Sequence, residues 1–158
     1  MNSYSHKTKI ALVTVSDTVT QAPPLSILCL SKILEDEGYD TEIVDLQIHP
    51  EKENKLLEEV GRGEYLWIGF TAMTPSIPLV IKKIKSIRGV DSHIPIVIGG
   101  VHASALPRET LEELDVDAVC VGEGEEAVLD FSQKVRNGLN DYWSIPGVAS
   151  LDSKGVYR

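Results

Sequence analysis

The sequence has only two cysteines, no apolar run approaching the roughly 18 residues of a membrane span, no lysine and arginine cluster, and no linker rich in glycine and serine or in proline. Each absence removes a class of protein. Cys29 and Cys120 sit in separate apolar segments far apart in the chain, which predicts two reduced, buried thiols in a cytoplasmic protein rather than a disulfide framework. There is no Cys-x-x-Cys pair and no three-cysteine iron–sulfur motif. With no basic-plus-apolar leader either, neither secretion nor a membrane partner is expected. The net charge is −9, from 24 acidic against 15 basic residues, and with no basic face to neutralise phosphates a nucleic-acid partner is disfavoured. The acidic surplus is spread over several segments, as solubility alone would require. At 158 residues the chain has the size of one domain, able to bury about 70% of its extended surface without a disulfide or structural metal.

What the sequence does have is organised around residues 94–102, Ile-Pro-Ile-Val-Ile-Gly-Gly-Val-His. The β-branched run reads as a strand buried on both faces. The two glycines that end it remove side chains where a backbone turns sharply or a flat ligand approaches. Around this strand the chain alternates. Strands are expected at residues 9–15, 41–46, 65–71, 94–98 and 118–121. Helices are expected at 25–37, 51–61, from 74 onward, 106–114 and 123–137. Leu25, Leu28, Cys29 and Ile33 are expected to form the inward face of the first helix, widened by Leu30 and Leu34, with Gly38 as its stop. The second helix is expected to turn its acidic residues outward. Thr74-Pro75 reads as an N-cap and first-turn proline. Residues 148–151 and 156–157, joined by a turn at 152–155, read as a small hairpin. Five such alternations predict a three-layer α/β fold, a Rossmann-like or flavodoxin-like doubly wound parallel sheet. In the strand order 2-1-3-4-5, ligands sit where the winding reverses, at the carboxyl edge. That edge is then walled by residues 16–24, 71–75, 99–102 and 122–125.

Several chemistries fit this edge poorly. Gly122-Glu-Gly-Glu-Glu-Ala127 matches Gly-x-Gly-x-x-Ala, yet it opens the last unit and places glutamates where a pyrophosphate needs bare amides. An FMN-binding, flavodoxin-like phosphate loop would use Ser16, Thr18 and Thr20, but that loop has no glycine. The histidines, His6, His49, His93 and His102, are scattered, so no protein-ligated metal is expected. Ser16, Ser76 and Ser104 have no nucleophile-elbow context, and Asp17 and Glu125 form no recognisable acid pair. A glycine-lined cleft for a large, fairly apolar cofactor remains, held by a module that does no chemistry alone.

At this point the chain resembles the N-terminal cobalamin (B12)-binding domain of B12-dependent radical SAM enzymes. The resemblance rests on Pro23-Pro24-Leu25, Glu37-Gly38-Tyr39, Val44-Asp45-Leu46, Gly69-Phe70-Thr71-Ala72-Met73-Thr74, Val97-Ile98-Gly99-Gly100-Val101-His102-Ala103, Leu106-Pro107 and Val121-Gly122-Glu123-Gly124-Glu125. Ile145-Pro146-Gly147-Val148-Ala149 and Gly155-Val156-Tyr157-Arg158 resemble the passage into the radical SAM barrel. The resemblance implies a cobalamin-binding domain at residues 1–144 and a hairpin or connection at 145–158 leading to that barrel. It implies a corrinoid whose nucleotide tail enters the domain with its base off the cobalt. Classical domains carry Asp-x-His-x-x-Gly after the first strand, and here Val19 and Ala22 replace the histidine and glycine of that motif. A valine has no lone pair for cobalt, so no histidine ligand and no metal ligand from this chain are expected.

The cofactor contacts implied are Ser16, Asp17, Thr18, Val19 and Thr20 in the first loop and Thr71, Ala72, Met73 and Thr74 along the tail. Gly99 and Gly100 give the tail room, with Val101 and His102 at the corrin rim and Gly122, Glu123, Gly124 and Glu125 near the corrin amides. A leucine at Gly100 is expected to block the tail without disturbing the secondary structure. In the full-length enzyme the partner is the radical SAM barrel, which carries S-adenosylmethionine and a 4Fe–4S cluster. The activity implied there is methyl transfer or a related reaction, and the domain alone is expected to be inert. The alternatives are a cofactor-free interaction or regulatory domain and an FMN-binding module.

Overall fold

Six strands, seen in a computed structural model that describes residues 4, 6–16 and 24–158, share one sheet. In chain order they are β1 (Lys9–Thr14), β2 (Asp40–Asp45), β3 (Tyr65–Thr71), β4 (Ile96–Gly99), β5 (Ala118–Cys120) and β6 (Val148–Ala149). Their spatial order is β2-β1-β3-β4-β5-β6. The first five run parallel, giving the expected 2-1-3-4-5 core. The strand β6 pairs antiparallel with β5, Val119 opposite Ala149 and Cys120 opposite Val148, and covers an edge that would otherwise present free backbone groups. Beyond it the expected hairpin closes through a Leu151–Tyr157 bridge and reciprocal amide bonds between Ser150 and Arg158.

The helices are α1 (Leu25–Asp36), α2 (Lys52–Gly61), α3 (Ile77–Val90), α4 (Val101–Ala105), α5 (Pro107–Glu113) and α6 (Glu125–Arg136). Period-two alternation in the strands sends Ile10, Leu12 and Val97 to one face and Ala11, Val13, Ile96 and Ile98 to the other. Helices α1 and α6 cover the first face through Ile27, Leu34, Val128, Phe131 and Val135. Helices α2, α3 and α5 cover the second through Leu56, Val60, Val80, Ile84 and Leu111. Two packed cores therefore flank the sheet, and β3, buried along its whole length except Thr71, separates them.

Helix α1 stops at Gly38, as its sequence indicates. The Gly38 and Tyr39 amides donate to the Glu35 and Leu34 carbonyls, and φ of +82° at Gly38 allows the reversal. Its buried face, however, is Ile27, Ser31 and Leu34; Leu25, Leu28 and Cys29 are exposed. Of the expected face only Leu34 is buried, with Leu30 and Ile33 half-buried, and of the two thiols only Cys120 is buried. The physical reason is Ser31, whose hydroxyl lies 2.5 Å from that of Thr41 and donates to Glu35, so a small polar residue takes a place against β2. Glu59 also departs from expectation. It is buried at the amino end of the sheet, where it bonds Lys9 (2.8 Å) and the Tyr65 hydroxyl. The fourth helical stretch begins earlier than expected, because α4 forms directly after the glycine pair.

Candidate functional site

Two cavities meet at the carboxyl edge of the sheet. One is a slot of about 280 Å³ that enters between the sheet and helices α1 and α6. Its floor takes Leu12, Gly69, Val97 and Cys120, one residue from each of β1, β3, β4 and β5, and its walls include Leu30 and Val128. The other is an open depression of about 840 Å³ lying over the strand ends. Ser26, Thr71, Gly100, Gly122 and Glu123 border both, so the slot opens into the depression.

The expected loops converge here. Ser16, Ala72, Met73 and Val101 border the depression, while Gly99, Gly124 and Glu125 border the slot. Thr71, Gly100, Gly122 and Glu123 stand at the junction. Thr74 and His102 border neither. The Thr74 hydroxyl lies 3.1 Å from Nδ1 of the buried His102, and the His102 amide donates to the Ala72 carbonyl at 3.3 Å. Thr74 therefore does not cap its own turn, which has no side-chain cap, but ties the end of β3 to α4. Asp17, Thr18, Val19 and Thr20 lie outside the described residues.

The glycines divide by role. Gly100 has φ +97° and ψ −176°, a conformation close to exclusive to glycine. A Cβ there would lie 2.8 Å from the Ala72 carbonyl oxygen and 2.9 Å from the Thr71 hydroxyl. Gly100 thus lets α4 approach β3, and a leucine there would disrupt the protein before it met any ligand, contrary to expectation. Gly124 is different. A Cβ on it would point between Leu30 Cδ2 (3.3 Å) and Cys120 Sγ (3.5 Å), at the slot wall. Gly69, read from sequence only as part of an apolar strand, makes room for Trp67, since a Cβ would come within 2.8 Å of the indole.

Trp67 backs the slot, its Nε1 donating to Ser132 Oγ at 2.9 Å and its ring edge-on to Phe131 at 5.4 Å. Burial pushes the Cys120 thiol up, reinforced by Glu125 and Glu123, so it stays protonated. Large apolar side chains rim the depression at unusual exposure, Met73 at 51% and Val101 at 74%. Among the described residues no group of three or more His, Cys, Asp or Glu side chains is placed to hold a metal ion. No helix among them is long and apolar enough to cross a membrane.

Residues 11–132 match the B12 binding domain family. The chain belongs to that family. Relatives of this B12-binding domain include the anaerobic magnesium-protoporphyrin IX monomethyl ester cyclase of Rubrivivax gelatinosus, 29% identical over 131 residues, covering 80% of this chain and 24% of the relative. The tryptophan 2-C-methyltransferase of Streptomyces laurentii is 23% identical over 153 residues, covering 90% of this chain and 26% of the relative. The chain thus spans about a quarter of the length of these relatives.

Among solved structures, the radical S-adenosylmethionine methyltransferase TsrM from Kitasatospora setae, with cobalamin and a 4Fe–4S cluster bound, superposes with a TM-score of 0.81. It is 23% identical, and the match covers 94% of this chain and 28% of TsrM. The cobalamin-dependent radical enzyme OxsB, with aqua-cobalamin and S-adenosylmethionine bound, gives 0.81 at 18% identity, over 97% of this chain and 22% of OxsB. The B12-binding domain thus has the fold of the corresponding domains in cobalamin-dependent radical enzymes. Its cavities suit such a cofactor sterically: a narrow apolar slot for a flat appendage, opening into a broad shelf for a larger ring.

Sequence reasoning missed the α1 wall, Ser26, Ile27 and Leu30, and the strand glycine Gly69. A signal for both was present. Helix α1 carries more apolar residues than one face can bury, and a glycine inside an apolar strand marks a close approach.

Proposed function

We propose that this chain is the cobalamin-binding domain of a B12-dependent radical SAM enzyme. The observation that carries this reading is the open apolar slot leading from the carboxyl-edge depression, in a chain of the B12-binding family. In this reading the nucleotide tail enters the slot past Thr71, Gly99 and Gly124, and the corrin lies over Ser16, Ala72, Met73, Val101, Gly122 and Glu123. Glu125 faces the tail from the start of α6, and Thr74 and His102 hold α4 in place behind the rim. Asp17, Thr18, Val19 and Thr20, outside the described residues, are counted as cofactor contacts through the family resemblance alone. A tail held in the slot would draw its base away from cobalt, and Val19, having no lone pair, could not replace it as a ligand.

Residues 1–144 form the binding domain, and 145–158 lead toward a radical SAM barrel that carries S-adenosylmethionine and a 4Fe–4S cluster in a cytoplasmic enzyme. When bound, the cobalamin supplies a methyl group for transfer or assists a related radical reaction. The protein's own residues bind and orient the cofactor and exclude water from its tail. The test is retention. Purified protein mixed with hydroxocobalamin and desalted is expected to keep close to one equivalent of corrin, with the absorption spectrum of a base-off corrinoid. Protein that keeps none, alone and in the intact enzyme, would leave a cofactor-free α/β domain instead.

A further inference from the structure

The slot is polar at its mouth and apolar inside. Ser26, Thr71 and Glu123 border both cavities and therefore stand where the slot opens. Deeper in, Leu12, Leu30, Val97 and Val128 offer only hydrocarbon. The polar atoms behind them are already committed. Trp67 Nε1 donates to Ser132 Oγ at 2.9 Å, and that hydroxyl donates to the Val128 carbonyl at 2.6 Å. The strand amides and carbonyls of the floor are taken by the parallel ladders of β1, β3 and β4. Among the described residues, the other polar side chains bordering the slot but not the depression are the Glu125 carboxylate at the start of α6 and the Cys29 and Cys120 thiols, and Cys120 Sγ already donates to the Glu123 carbonyl oxygen at 4.0 Å. The slot's volume, about 280 Å³, lies at the lower end of ligand pockets and suits a fused bicyclic ring rather than a whole cofactor.

We propose that this slot selects the base at the foot of the corrinoid, accepting a benzimidazole and discriminating against a purine. The inference rests on the cobalamin-binding reading above and goes further, to the chemical class of corrinoid. A dimethylbenzimidazole released from cobalt has two methyl groups and one free ring nitrogen, so it leaves at most one acceptor to be met. An adenine has several ring acceptors and an exocyclic amine, and inside this slot they would lose water without gaining partners. Each unmet hydrogen bond of that kind costs roughly tenfold or more in affinity.

The test compares three corrinoids on the full chain by equilibrium dialysis: cobalamin, the adenine-bearing cobamide, and cobinamide, which has no base. Cobalamin is expected to bind at least about tenfold more tightly than the adenine form, and more tightly than cobinamide. Equal binding of cobalamin and the adenine form would overturn the inference and leave the corrinoid reading standing. Cobinamide binding as tightly as cobalamin would also overturn it, because the slot would then take no base. Binding of none of the three would sink the corrinoid reading itself. Val97→Thr adds a hydroxyl inside the slot at nearly constant shape and is expected to narrow the gap several-fold. An unchanged ratio in a folded Val97→Thr protein counts against the inference.

Discussion

Gly100 packs so closely on Ala72 that a Cβ on the glycine would sit 2.8 Å from the Ala72 carbonyl oxygen. With φ at +97°, Gly100→Ala combines a steric clash with a backbone conformation that alanine rarely adopts. The variant is expected to lose about 2 kcal/mol or more of stability, a fall in Tm on the order of 4–8 °C for a domain of this size. Thermal unfolding followed by circular dichroism checks this. A Tm equal to that of the parent would mean that α4 does not depend on the glycine for its approach to β3.

Gly124 is where the slot can be filled without backbone strain, at the cost of a small shift of the flexible Leu30 side chain. Its φ of −99° is open to any residue, and its nearest neighbours are side chains, Leu30 and Cys120, rather than backbone. Gly124→Leu is expected to lower corrinoid retention at least about tenfold, the equivalent of about 1.4 kcal/mol, while leaving the far-ultraviolet spectrum native. Gly89→Ala serves as the control. A Cβ there meets nothing within 4 Å, so binding should be unchanged and stability should rise by up to about 1 kcal/mol. Full retention by a folded Gly124→Leu protein would remove the slot from the binding site.

At the opposite end of the sheet, Lys9, Glu42, Glu59 and Tyr65 form a tight charged cluster, with Lys9 Nζ 2.9 Å from Glu42 and 2.8 Å from Glu59. Burial raises the Glu42 carboxyl, but hydrogen bonds from Lys55, Lys9 and Tyr65 outweigh it and hold the pKa at about 2. The Glu59 carboxyl is likewise held below its ordinary value, its bonds from Lys9 and Tyr65 overcoming the cost of burial. Both are depressed in the folded state, so their stabilisation is complete above the ordinary glutamate value of 4.5 and fades as pH falls toward 2. Denaturant titrations from pH 7 to 2 are expected to show this loss. Lys9→Met should flatten that pH dependence and destabilise the protein at neutral pH by about 1–3 kcal/mol, since Lys55 still faces both carboxylates. A Lys9→Met protein with the parent's acid profile would contradict the assignment.

Cys29 and Cys120 border the same slot yet differ in exposure. Cys29 is expected to react quickly with a thiol reagent at pH 8. Cys120, buried and with its thiol pushed up, should react far more slowly. In a Cys29→Ser protein, cyanocobalamin should slow the remaining reaction further. Equal rates for the two thiols would contradict the burial of Cys120, and no protection by the corrinoid would count against a ligand in the slot.

Much of this arrangement is legible in the residues themselves. Strand-length apolar runs at 10–13, 66–70 and 96–98 alternate with helical patterns, and that rhythm leaves little choice but a doubly wound sheet. The carboxyl-edge loops follow from the same rhythm, which is why Thr71, Gly99, Gly122 and Glu123 were identifiable as a group. Side-chain direction was less legible. An apolar helix residue can face the core or a ligand, so Leu25 and Cys29 read as core although they are exposed. Nor does a glycine's position reveal whether it borders an open cavity, as Gly124 does, or makes room for the protein's own backbone, as Gly100 does. The distant partners Thr74 and His102, and Lys9 and Glu59, meet only once the sheet is assembled.

The most direct measurement is a crystal structure of the protein with cobalamin bound. The expected result is density for the benzimidazole between α1 and α6, over Gly69 and against Leu30 and Val128, with no side chain of this chain on the cobalt. A base still coordinated to cobalt, with the slot filled only by solvent, would contradict it.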